Sequence, residues 1–289
     1  MAQRVKKAVL PVAGMGTRVL PGAKTTPKNL LNVVDRPILS YVVEEARAAG
    51  IEHFVFIVGR GQGAIEDYFD SNPEIEGALE AKGKAEILAD VRRDLPKPGE
   101  MSFIRQMAPL GLGHAVWCAK AITGDEPFAV LLPDDLMAPG ALKDMVAAYN
   151  ELGGNILLTE EVPKERTASY GVITPGATKG RAVEVKGLVE KPRPEDAPSN
   201  LAVIGRYILQ PELMRILDSG EKGAGGEIQL TDAMAKLIGT QPFHAVTSNS
   251  ARHDCGDKAG FVLANLALGL EDPAVGPKIR DYLAGCGAK

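Results

Sequence analysis

Between Leu10 and Lys28 the chain reads LPVAGMGTRVLPGAKTTPK, a set of residue types suited to handling phosphate. Ala8, Val9 and Leu10 form a short apolar run that reads as a buried strand; Gly14, Gly16, Thr17, Arg18, Lys24 and Lys28 come directly after it. Glycines let backbone N–H groups approach phosphate oxygens closely, and a loop leaving a strand end presents those groups as a concave anion trap. Arg18 adds a planar fork of donors and each lysine a compact charge. A triphosphate is the kind of ligand such a loop would hold. The pattern is not a P-loop, because no Gly-Lys-Ser/Thr follows four residues after a glycine, and Val19 stands where the dinucleotide fingerprint needs its third glycine. By spacing alone, it equally fits a strand ending in a tight glycine turn with a solvated basic flank.

A second glycine cluster competes for attention. Gly59, Gly61, Gly63 and Ala64 follow the apolar run Phe54 to Val58 and satisfy GxGxxA. A nicotinamide cofactor would need an acidic residue about 20 positions on, capping a second strand. The nearest candidate, Glu80, falls inside a stretch from Pro73 to Arg93 that reads as one charged helix. A plain strand-to-helix turn is therefore the favoured reading over an oxidoreductase site.

The elements that must carry these loops are legible in the apolar periodicity. Ile38, Leu39, Val42, Val43 and Ala46 recur at helical spacing and Gly50 ends the run. Strands are predicted at 54–58, 101–105, 128–132 and 155–161, with helices at 114–121 and 140–152 between them. Alternation of this kind predicts an α/β fold with a doubly wound, mostly parallel (mixed) sheet and ligands at the C-terminal strand ends. From about Pro163 the rhythm changes to shorter strands at 171–174, 183–190 and 201–209, then helices at 211–217, 228–238, 259–270 and 277–283. The expected organisation is a single domain over 1–289, with a first half at 1–162, a second half at 163–257 and C-terminal helices at 258–289.

Composition narrows the classes. The chain has 289 residues, enough for a substantial core, with 45% hydrophobic and 24% charged residues. A formal net charge of −4 gives no support to nucleic-acid binding. Cys118, Cys255 and Cys286 are odd in number and far apart, which suggests neither a disulfide framework nor a zinc site and fits a reducing cytoplasm. The basic start MAQRVKK precedes an apolar run too short for a signal peptide, and no segment reaches the roughly 18 apolar residues of a membrane span.

The stretch PVAGMGTRVLP with Pro27-Lys28 resembles the signature of the sugar-1-phosphate nucleotidylyltransferase family, in its bacterial branch that joins UTP to glucose 1-phosphate. The likeness continues through PLGLGHAV (109–116), LLPDD (131–135), SYGVI (169–173), VEKP (189–192) and GGEIQLTDA (225–233), covering nearly the whole chain. The family's reaction is attack by the sugar phosphate on the α-phosphorus of a nucleoside triphosphate, with pyrophosphate leaving in line. Two anions must meet, so cations and a metal are needed rather than a protein nucleophile.

The resemblance implies roles for particular residues. Arg18 and Lys28 would grip the triphosphate and balance charge on the leaving pyrophosphate, with Asp134 beside them as the third catalytic residue. Ala13, Gly14, Gly16 and Thr17 would cradle the nucleotide, and Gln106 with the backbone of Gly111 would read the uracil edge. Asp134 and Asp254 would hold Mg²⁺, which commonly takes one or two carboxylates and completes its shell with phosphates and water. Gly171, Glu190, Lys191 and Val203 would bind the sugar phosphate. Lys24, Asp135 and Glu227 have less defined parts, and His114 reads as a packing or turn residue. KTTPKNLLNVVD replaces the more usual KAIPKEMLPIVD, and Asp257 stands where a serine is common. A homo-oligomer, a tetramer by the resemblance, is also implied. The alternatives are a dTTP-using thymidylyltransferase, against which the 73–99 insert and the KGKAEIL run argue, and a non-catalytic paralogue that binds UDP-sugar.

Overall fold

The computed structural model describes residues 3–137, 140–247 and 250–286. Nine strands form one sheet: β1 (Lys7–Pro11), β2 (His53–Val58), β3 (Met101–Arg105), β4 (Phe128–Leu131), β5 (Asn155–Glu161), β6 (Gly171–Lys179), β7 (Ala182–Glu190), β8 (Leu201–Leu209) and β9 (Phe243–Thr247). Their spatial order is β3-β2-β1-β4-β8-β5-β9-β7-β6. The first four run parallel, β8 is inserted antiparallel between β4 and β5, and β9 lies parallel to β5. The hairpin β6–β7 closes the far edge.

Successive side chains of a strand face opposite sides of the sheet, and both sides here are covered. Ala8, Leu10, Phe54 and Phe56 pack with Leu39, Val42, Leu142 and Met145 from the helices Ile38–Ala48 and Ala141–Leu152. Val9, Val55, Ile57 and Val130 pack instead with Val116, Leu213 and Met234 from Leu112–Trp117, Glu212–Leu217 and Leu230–Leu237. This is the doubly wound arrangement expected from the alternation of elements, with a mixed sheet. The loops after β1, β2, β3 and β4 gather at the C-terminal edge of the parallel strands, where open α/β sheets bind ligands.

The structure departs from the sequence reading in several places. The charged stretch from Pro73 is two helices, Pro73–Ala81 and Ala85–Arg92, because Gly83 takes the left-handed conformation at φ +64° and breaks the run. The helix expected at 114–121 is divided into Leu112–Trp117 and Lys120–Thr123. β6 continues past Thr174 to Lys179, its Pro175 and Gly176 tolerated on an edge strand with register irregularities opposite. β9 was not expected, and neither was a two-stranded ribbon of Asp135–Met137 with Arg252–Asp254. Among the described residues, no helix is long and apolar enough to cross a membrane.

Candidate active site

The loop after β1 folds back on itself around Gly16, whose φ of +65° favours glycine. A Cβ at that position would lie 2.9 Å from Lys28 Cβ and 3.1 Å from Ala23 Cβ, so the loop closes onto the lysine stem only with glycine there. That closure directs Lys28 toward the end of β4. Lys28 Nζ stands 2.5 Å from Asp134 Oδ2, and Arg18 Nη2 is 3.7 Å from the same oxygen. Burial pushes the Asp134 carboxyl up, but the charges of Lys28 and Arg18 outweigh it and hold the group below the usual carboxylate range.

Asp135 does a different job. It is buried, with Oδ1 accepting from Arg252 Nε at 2.7 Å and Oδ2 accepting from the Gly205 amide at 3.1 Å. Burial raises its proton affinity and Arg252 counteracts this only in part. Arg252 also reaches Glu160 at 3.1 Å and Asp254 Oδ2 at 3.7 Å. Beneath the same turn, Arg206 is wholly buried and forks onto Glu45 at 2.7 Å while donating to the carbonyls of Leu132, Gly205 and Asp135.

The Arg252–Asp254 ribbon pairs Asp254 with Asp135 in register, so Asp254 arrives one residue from Asp134 although 120 positions later in the chain. Both aspartates line a cleft of about 370 Å³. Gly256 N donates to Asp254 Oδ1 at 2.9 Å, fixing that carboxylate, and Asp257 caps the helix Lys258–Glu271 through the Gly260 amide. Among the described residues, no group of three His, Cys, Asp or Glu side chains forms a ready-made metal site. Two hard carboxylate donors on one cleft nonetheless suit a cation that takes its remaining ligands from phosphate and water. The Cys255 thiol is buried, which pushes it up to about 12 and makes it inert.

Ala13, Gly14 and Thr17 line a second cavity of about 690 Å³, together with Lys24, Lys28 and Gln106. Gln106 follows β3, and its Nε2 donates to Gly111 O at 3.2 Å and approaches His114 Nδ1 at 3.0 Å. Gly111 has φ +109°, and a Cβ on it would fall 2.8 Å from both Glu227 Cβ and Ile228 O. Gly59 and Gly61 line this cavity too. Gln62 ties them down, its Oε1 accepting from Gly59 N at 2.7 Å and its Nε2 donating to Val12 O at 3.0 Å. Glu80 lies within the helix Pro73–Ala81 and pairs with Arg92 rather than capping a strand, so the dinucleotide pattern is a structural turn.

Gly171, Glu190, Lys191 and Val203 all line the 370 Å³ cleft. The β6–β7 register sets Glu190 opposite Gly171. Lys191 is one of two non-glycine residues with positive φ among those described, at +47°, and its Nζ lies 3.1 Å from Glu190 Oε1. Backbone strain of this kind gathers at functional sites. Glu227 lines the cleft ahead of the helix Leu230–Leu237 rather than in its first turn. Of the residues expected from the sequence, all but Gly16 and Gly111 thus line one or other of two neighbouring cavities. Arg252, Tyr170, Arg166 and Thr231 line the cleft as well and were not anticipated; Arg60 and Arg105 likewise line the larger cavity.

The profile of the family described as Nucleotidyl transferase matches residues 7–269. The chain belongs to that family. It is 49% identical over 260 residues to a UTP–glucose-1-phosphate uridylyltransferase of Komagataeibacter xylinus, a match spanning 89% of this chain and 92% of that protein. A UTP-bound UDP-glucose pyrophosphorylase of Acinetobacter baumannii superposes with a TM-score of 0.89 at 40% identity, covering 97% of this chain and 99% of the other. A UDP-glucose pyrophosphorylase complexed with UDP-glucose gives a TM-score of 0.82 at 40% identity, covering 93% and 100%. Nucleotidyltransferases of this family generally use a divalent metal.

Proposed function

We propose that this chain transfers the uridylyl group of UTP to glucose 1-phosphate, forming UDP-glucose and pyrophosphate. The observation that carries the reading is the Lys28–Asp134 pair, 2.5 Å apart, where the two cavities meet. Lys28 lines the larger one and Asp134 the smaller, so a triphosphate in the first and a sugar phosphate in the second would face each other across them. The relatives of 42–49% identity that bear the name UTP–glucose-1-phosphate uridylyltransferase support the choice of nucleotide and sugar.

In this reading residues 1–162 hold the nucleotide and 163–257 the sugar. The loop amides from Ala13 to Thr17 and the Arg18 and Lys28 cations bind the triphosphate and lower the repulsion that the incoming anion feels. Lys191 holds the phosphate of glucose 1-phosphate, and Glu190 with the backbones of Gly171 and Val203 accepts or donates to sugar hydroxyls. An oxygen of that phosphate attacks the α-phosphorus, the bond to the β-phosphate oxygen breaks, and pyrophosphate departs toward Arg18 and Lys28. No proton needs to be moved, because the nucleophile is already ionised at neutral pH. Mg²⁺ held by Asp134 and Asp254 would supply further charge neutralisation at the α-phosphate. Gln106 faces the base in the larger cavity.

The test is pyrophosphate release from purified protein with Mg²⁺, glucose 1-phosphate and UTP, dTTP, ATP, CTP or GTP in turn. Release with UTP far above the rest, abolished by EDTA, is expected; equal rates with dTTP, or UTP binding with no turnover, would overturn the assignment. A cytoplasmic homo-oligomer, a tetramer by the resemblance, belongs to the same reading. Exposed Val262, Leu263 and Tyr282 on the C-terminal helices offer apolar surface for assembly. Light scattering at the single-chain mass of 30.6 kDa would refute that part.

A further inference from the structure

The side-chain amide of Gln106 has two hydrogens on Nε2, and the structure gives each an acceptor. One points to Gly111 O at 3.2 Å and the other to His114 Nδ1 at 3.0 Å. A backbone carbonyl can only accept, so the end of the amide beside Gly111 must be the NH₂. His114 Nδ1 can then take part only as the unprotonated ring nitrogen. With both hydrogens committed, Oε1 is the atom of Gln106 left to meet a ligand in the 690 Å³ cavity that Gln106 lines. Among the described residues, nothing donates to it.

We propose that His114 is a specificity-determining positioning residue: its neutral Nδ1 locks the Gln106 amide so that only an acceptor is offered to the base, selecting an N3–H donor over an N3 acceptor. The inference rests on the proposed reading of Gln106 as the residue that faces the base. Uracil carries a donor at N3 and satisfies Oε1. Cytosine carries a lone pair there and leaves two acceptors opposed, a buried mismatch of the kind that gives strong discrimination. Without His114, only the Gly111 carbonyl opposes rotation of the amide, and the flipped form presents NH₂ to the base.

The surroundings keep the ring neutral. Partial burial lowers its proton affinity, and its ring stacks on Trp117 with centroids 5.8 Å apart. Charged groups on the neighbouring elements are Arg105 at the end of β3, Glu227 behind Gly111, and Lys120 with Asp218 beyond Trp117. Among the described residues, none of them forms an ion pair or hydrogen bond with the ring. As pH falls through the depressed value His114 gains a proton on Nδ1, which then opposes the Gln106 NH₂, so the lock is present above that pH and lost below it.

The experiment compares kcat/KM for UTP and CTP in the full-length enzyme and in His114→Phe, His114→Asn and Gln106→Met. His114→Phe keeps an aromatic ring without the acceptor and should lower the UTP-over-CTP preference roughly three- to tenfold, the worth of one such hydrogen bond. His114→Asn sets its Oδ1 near the place of Nδ1 and should restore the preference, with KM for glucose 1-phosphate unchanged in both. Gln106→Met should abolish most of it. Full preference in His114→Phe with loss in Gln106→Met overturns the role of His114 and leaves the base reading standing; preference kept in both variants overturns the base reading and this inference together. Trp117 is the sole tryptophan, so its fluorescence reports the ionisation of His114 without turnover or a variant. The fluorescence transition should fall below the ordinary histidine range and coincide with loss of UTP preference in the wild type; a preference that is flat across it overturns the proposal.

Discussion

Replacing Lys28 with alanine removes the ammonium 2.5 Å from Asp134 Oδ2 and leaves Arg18, 3.7 Å from that oxygen with its side chain 64% exposed. Loss of a pre-organised charge at a reacting phosphate costs about 10² to 10³ in rate, so kcat for pyrophosphate release should fall by that factor. The structural cost is much smaller. The Asp134 side chain is 21% exposed, and a charged hydrogen bond at such a site contributes about 1.5–3 kcal/mol, part of which Arg18 and water replace. A loss of about 1–2 kcal/mol lowers Tm by about 2–3 °C in a chain of this length. The pH dependence separates the two effects further. Lys28 and Arg18 now hold the Asp134 carboxyl below its ordinary 3.8 against the opposing effect of burial. Its contribution to stability is therefore complete above the unfolded value and disappears as pH falls through the depressed folded one. Without Lys28 the burial effect dominates, and the acid limb of the pH–rate profile moves to higher pH. The measurements are kcat with UTP, thermal melting and the pH–rate profile. A Lys28→Ala enzyme that keeps more than a tenth of wild-type kcat/KM, folded and with an unmoved acid limb, would refute the placement of Lys28 at the reacting phosphates.

Two further substitutions test the frame beneath the site. Arg252→Met strands the Asp135 carboxylate, whose side chain is 12% exposed, and breaking a buried pair costs about 3–5 kcal/mol; urea denaturation should show a loss of this size, and adding Asp135→Asn should recover more than half of it. Gly205→Ala would place a Cβ 2.5 Å from Asp135 Oδ2 and 2.9 Å from Leu132 Cβ, so it should destabilise by about 1–3 kcal/mol and slow turnover with it. Gly77→Ala, where nothing lies within 4 Å, is the control and should be neutral or slightly stabilising. Equal stability of the two alanine variants would contradict the packing of the β4 turn against β8.

What the amino-acid sequence reveals depends on whether the cause is local. β1, β2 and β4 are legible because an unbroken apolar run bounded by glycine or proline has few other uses. Gly14, Gly16, Arg18 and Lys28, proposed to meet phosphate, are legible because they share one loop. β9 is hidden because FHAVT is short, interrupted by His244 and preceded by Pro242, and it becomes a strand by filling the slot between β5 and β7. Arg252 is hidden for a related reason: the sequence SARHDCG gives it no task until an antiparallel register, 117 positions away, sets it against Asp135. Glu45 did leave a signal. It lies on the same stripe of its helix as Ile38 and Val42, and a carboxylate on an apolar face calls for a buried cation. The identity of that cation, Arg206, needs the tertiary fold.

These hidden residues explain why Asp134 would be the carboxylate that acts in the proposed reaction. Arg206 has five N–H donors, and all are used, on Glu45 and on the carbonyls of Leu132, Gly205 and Asp135. The turn carrying Asp134 is therefore pinned from below at residues on either side of it by one planar group that cannot lose its charge. Asp135 is pinned from the side by Arg252 and the Gly205 amide. Asp134 lies between these anchors with Cys255 N donating 2.8 Å to its carbonyl, so its backbone is fixed at both ends while its carboxylate faces the cleft. A carboxylate that must meet a cation and two phosphate-bearing ligands with little reorganisation needs a frame of this kind. Lysine in place of Arg206 could reach Glu45 but could not span three carbonyls at once, and the site would lose rate through misplacement of Asp134 while keeping every residue that touches the substrates.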